Sequence, residues 1–69
     1  MNIKAFKENN RIFYDHKFNR HMIISLIIPN SHNHLGQVVI FQSISDNAKP
    51  QFSLAFLEKL LYENQIEVI

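Results

Sequence analysis

The sequence predicts a small α+β fold, an antiparallel sheet of the order β-β-β-β-α with one helix packed on one face. Residues 65–69 are available as a last short strand. Three observations predict it. Several stretches alternate apolar and polar residues, as half-buried strands do. Residues 21–28 (His-Met-Ile-Ile-Ser-Leu-Ile-Ile) are apolar on both faces and end at Pro29. Beyond Pro50 the apolar residues recur at helical spacing.

Residues 2–7 alternate as Asn-Ile-Lys-Ala-Phe-Lys and predict a first strand, closed by a turn at Glu8, Asn9 and Asn10. Ile12, Phe13 and Tyr14 favour a second strand over 11–15. Phe18, Asn19 and Arg20 lead through another turn. Strict alternation along 21–28 puts Met22, Ile24, Leu26 and Ile28 on one face, and Ile23 and Ile27 around Ser25 on the other. A strand apolar on both faces belongs in the middle of a sheet covered on both sides. The polar loop 30–36 follows, and 37–44 (Gln-Val-Val-Ile-Phe-Gln-Ser-Ile) forms an antiparallel hairpin with 21–28.

Ser45, Asp46 and Asn47 offer helix caps, and Pro50 suits a first helical turn. Over 51–64, Phe52, Leu54, Phe56, Leu57, Leu60 and Leu61 sweep an arc of roughly 200°, where an ordinary surface helix needs about 100°. Ile66, Val68 and Ile69 make the chain end apolar enough to dock. One helix covers only one face of a sheet, so the two-sided strand leaves apolar surface exposed. A homodimer is the simplest cover.

The chain has 69 residues, 46% of them hydrophobic, with one Gly and no Cys. That length is one domain, 1–69, and such a chain buries only about 60% of its unfolded surface. Net charge is +1, which argues against a strongly basic nucleic-acid protein and against an acidic nucleic-acid mimic. The longest apolar run is too short to span a bilayer, and no signal peptide is visible, so a cytoplasmic protein without membrane contact is the expectation.

Four histidines, His16, His21, His32 and His34, invite a metal reading. His32 and His34 are the closest pair, because alternate residues of an extended segment share a side. However, His21 and His32 sit at opposite ends of a strand, more than about 25 Å apart, so each end is short of ligands. The reading is therefore solvated loop histidines, with no metal and no cofactor. Catalysis is not expected either. There is no thiol, no Gly-x-Ser-x-Gly elbow, no glycine-rich phosphate loop and no paired carboxylates.

Lys4, Lys7, Arg11, Lys17 and Arg20 interleave with Phe6, Phe13, Tyr14 and Phe18, a mixture that suits RNA or DNA. The same pattern also describes strands with charges outward and aromatics in the core, and it is read that way here. The pattern from Met22 to Pro29, a polar loop, and Leu35 to Asp46 resembles the last two strands of PAS-like extracytoplasmic sensor domains of bacterial histidine kinases. The resemblance spans residues 10–46. It implies a fragment of a ligand-sensing domain and assigns no ligand residues. No transmembrane helix flanks the segment, and the helix after Pro50 is charged and amphipathic, unlike that family.

The function expected is a non-catalytic interaction or regulatory module, acting as a homodimer on a larger protein, as accessory or mobile-element inhibitor proteins do. The expected contact residues are His34 and Leu35 in the loop, and Leu54, Glu58 and Tyr62 on the helix.

Overall fold

The computed structural model describes residues 1–30, 32 and 36–69. The elements are α1 (Ile3–Glu8), β1 (Ile12–Asp15), β2 (Arg20–Ile28), β3 (Val38–Ser43), β4 (Gln51–Ser53), α2 (Leu54–Tyr62) and β5 (Ile66–Val68). The strands form one five-stranded sheet in the order β4-β3-β2-β1-β5, antiparallel throughout. The small α+β class read from the sequence is the observed one. β4 and β5 lie at opposite edges, so the α2 connection must cross the sheet, and in crossing it covers one face. We call that face inner.

The inner face holds the core. Phe13, Met22, Val39, Phe41, Leu54 and Leu57 are fully buried there, with Ile3, Ile24 and Ile66 close behind. A run of aromatic contacts crosses the core from α1 to α2. Phe6 meets Phe13 edge-on at 5.8 Å, Phe13 meets Phe41 at 5.1 Å, and Phe41 meets Phe52 at 5.9 Å. Offset and edge-on pairs of this kind add to the stabilisation that burial provides.

Residues 2–7 form a helix and not the strand their alternation predicts. Ile3 and Phe6 lie one turn apart, and both pack inward. Asn2 caps the helix by accepting the Ala5 N–H, and Lys4 pairs with Glu8 at helical spacing. A six-residue pattern fits both periods, and tertiary packing chose the helix. The sheet still has four strands before α2, because β4 supplies the one lost at the start.

The predicted helix 51–64 is shorter by its first turn. Residues 51–53 pair with Val38–Ile40, and the Phe41 N–H donates to the Pro50 carbonyl. Ser53 is the N-cap, its Oγ accepting the Phe56 N–H. Such a cap contributes about 1 kcal/mol. The chain end docks as expected: β5 pairs with β1, Tyr14 opposite Glu67.

β2 departs from strict alternation at one point. Ile24 pairs with Phe41 and Leu26 with Ile40, so Ser25 is an extra residue in a β-bulge. The bulge resets the faces. Met22, Ile24 and Ile27 point inward, whereas Ile23, Leu26 and Ile28 point outward. Leu26 and Ile28, predicted to share a face with Met22, are 51% and 43% exposed.

Candidate functional site

The outer face of the sheet is the surface that neither helix covers. Register places Ile12 and Tyr14 of β1 on it, with His21, Ile23, Leu26 and Ile28 of β2. Val38, Ile40 and Gln42 of β3, Gln51 and Ser53 of β4, and Glu67 of β5 complete it. The aliphatic residues are adjacent. Ile12 stands opposite Ile23, Leu26 opposite Ile40, and Ile28 opposite Val38. They form one stripe across the three central strands, and Ile12 at its margin is 37% exposed. A solvated sheet face carries polar and charged residues. Among the described strand residues facing outward, Glu67 alone is an acid, and none is Lys or Arg.

One end of the stripe is polar. The Tyr14 ring lies 4.7 Å from His16 and 4.8 Å from His21. Its hydroxyl donates to Asn19 Oδ1 at 3.1 Å, which fixes the β1–β2 turn, where Asn19 takes a left-handed backbone (φ 50°). His16 Nε2 lies 2.7 Å from Glu67 Oε1. Asp15, an apparent partner for His16 and His21 by sequence proximity, faces the other way. It is buried, accepting the Lys17 N–H and lying 3.7 Å from Arg20 Nε. Among the described residues no group of three or more potential ligands converges on a metal position.

Two clefts among the described residues flank the helices. One, about 310 Å³, lies beside α2 and is lined by Phe18, Phe52, Phe56, Lys59 and Leu60. Arg20 stacks on Phe18 at 4.7 Å. The other, about 440 Å³, lies between α1 and the end of β2 and includes Lys4, Leu26, Pro29 and Gln37.

The sequence-predicted contact residues do not gather into one patch. Leu54 is fully buried under α2, so it is a core residue and offers no contact surface; its place one residue past the Ser53 cap aims it at the sheet. Glu58 is half-buried and lies 4.0 Å from the Met1 ammonium group. Tyr62 is exposed at the helix end. His34 and Leu35 lie outside the described residues. His32 follows β2, at the opposite end of that strand from His21, and its N–H donates to Asn30 Oδ1 at 2.9 Å. Sequence reasoning missed Leu26 and Ile28 as outer-face residues, because the Ser25 bulge inverts the faces of half of β2, and it assigned no face to Ile40 of β3.

No protein-family model, curated protein or solved structure matches the chain. No described helix is long and apolar enough to cross a membrane.

Proposed function

We propose that the chain is a non-catalytic protein-interaction module whose contact surface is the outer face of its sheet. The observation that carries this reading is the aliphatic stripe Ile12, Ile23, Leu26, Ile28, Val38 and Ile40, covered by neither helix and with no Lys or Arg among the described outward strand residues. Contiguous exposed apolar surface of this kind marks a binding surface more often than a solvated one. The RNA or DNA reading has less support. Of the aromatics in the basic first twenty residues, Phe6 and Phe13 enter the core and Tyr14 joins the outer face. Only Phe18 stands exposed beside Lys17 and Arg20.

A photo-crosslinking amino acid tests the reading, placed at position 28 in one variant and at position 62 in another. Tyr62 is 89% exposed and Ile28 43%, so collision alone favours position 62. Protein adducts formed from position 28 in preference to position 62 are expected. Equal yields, or adducts from position 62 alone, would refute the proposal. A small-molecule adduct, or a rise in melting temperature with a small ligand, would instead favour the sensor-fragment reading.

A further inference from the structure

We infer that the occupant of the outer face is a second copy of this chain, the two sheets packed face to face about a two-fold axis. This rests on the outer face being the contact surface. Three features of that face select a copy over a different protein.

The first is charge. Among the described outward strand residues Glu67 is the one carboxylate, it already has His16 at 2.7 Å as a hydrogen-bond partner, and none is Lys or Arg. Recognition of a different protein is set largely by complementary charge at the interface, and here there is nothing to complement. Stacking the face on itself opposes aliphatic to aliphatic and brings at most the two compensated Glu67 side chains near each other. The second feature is composition. Homodimer interfaces are more apolar than interfaces between transient partners, and depleted in charge at their centre. The stripe lies on β1, β2 and β3, the three central strands of the five, with neutral Gln42, Gln51 and Ser53 toward one edge.

The third is size. Strands about 4.8 Å apart, with central strands some 13–30 Å long, give the sheet a face of roughly 400 Å² before side-chain relief. Side-chain relief adds to that area, which is about half of the roughly 800 Å² per partner that a standard interface buries. Two twisted sheets stack with their strands about 30° apart and interdigitate side chains across about 10 Å, a geometry a bare sheet face can meet without rearrangement. In this packing α2 and the cleft beside it stay on the outside of the dimer and Tyr62 remains free, whereas the cleft beside α1, which Leu26 also lines, borders the interface.

Native mass spectrometry of the untagged full chain across a concentration series is the test, read beside the photo-crosslinking above. Wild type is expected to be a dimer. Because a two-fold axis enters every substitution twice, Leu26→Lys should weaken it by about 100-fold or more, while Tyr62→Lys leaves it unchanged. Far-ultraviolet circular dichroism checks that Leu26→Lys is folded. If it is not, Leu26→Cys replaces it. The chain has no other cysteine, so a bifunctional thiol crosslinker spanning about 10 Å should then join two copies, whereas Lys59→Cys on α2 should give none. A monomer that forms position-28 adducts with another protein overturns the second copy and leaves the contact surface standing. A dimer indifferent to Leu26→Lys, or a dimer crosslinked through position 59, overturns the second copy on this face, and position-28 adducts no more frequent than position-62 adducts overturn the contact surface as well.

Discussion

The two faces of this sheet are built from alternate residues of the same strands, yet they invert the usual division of labour. The inner face, roofed by α1 and α2, buries Phe13, Met22, Val39 and Phe41 completely, but it also holds charges: Asp15 is buried and Arg20 nearly so. The outer face, which neither helix roofs, holds aliphatic residues and, among the described strand residues, a single carboxylate. A sheet evolved to sit in water on one side puts its charges on that side. This one keeps its strand charges mostly under cover. The contrast teaches that apolar character on this sheet does not follow cover by the helices, which is why we propose the outer face as a contact surface.

The contrast breaks most visibly through its aromatic half. Phe41→Ala empties the centre of the inner core and should cost about 3–5 kcal/mol, comparable with the whole stability of so small a domain. Ile28→Ala on the outer face, measured at concentrations where association is absent, should cost less than about 1 kcal/mol. Urea unfolding at fixed protein concentration compares them. Equal costs would mean the outer face is packed within one chain.

Next comes the charged end of the inner face. Asp15→Ala leaves Arg20 without its carboxylate and the Lys17 N–H without its acceptor. The expected loss is about 3 kcal/mol, seen in the same unfolding experiment. A loss below about 1 kcal/mol would show that Arg20 reaches water.

Deletion of Ser25 is a milder and more pointed change. It removes the bulge and restores perfect alternation, leaving Met22, Ile24 and Ile27 inward and Ile23, Leu26 and Ile28 outward. The shortened chain should fold with stability within about 1 kcal/mol of wild type, and amide spectra should show the same core. Loss of the fold would mean that the curvature supplied by the bulge is indispensable.

The smallest effect concerns Asp46, in the loop after β3. The Ala48 backbone N–H, at 2.9 Å, holds its carboxyl below the ordinary carboxylate value. A lowered folded value adds stability above the ordinary range and loses it as pH falls through the folded value. Wild type should therefore lose slightly more melting temperature than Asp46→Asn between neutral and acid pH. An identical decline in both would remove this loop from the account.

Much of the fold was legible in the residues. Pro29 and the run 21–28 marked a central strand. Ser53 lies within the stretch read as helix, but its role as cap emerges only from the pairing of 51–53 with β3. The start was misread because Ile3, Ala5 and Phe6 satisfy a strand period and a helix period equally over so few residues. The outer face proposed as the contact surface was legible only as an excess of apolar residues. Which of them faced water depended on one residue, Ser25, and nothing local distinguishes a serine in a bulge from a serine in a regular ladder.

By itself the sequence determined the element types of the longer segments, the α+β class, and the surplus of apolar surface over what one helix can roof. These follow from short-range periodicity, which each segment carries within itself. Tertiary structure alone decided that residues 2–7 coil, that 51–53 join the sheet edge, and that Leu26, Ile28 and Ile40 share one uncovered face. Those outcomes depend on strand pairing between residues distant in the chain, and pairing register is a property of two segments together that neither one encodes alone.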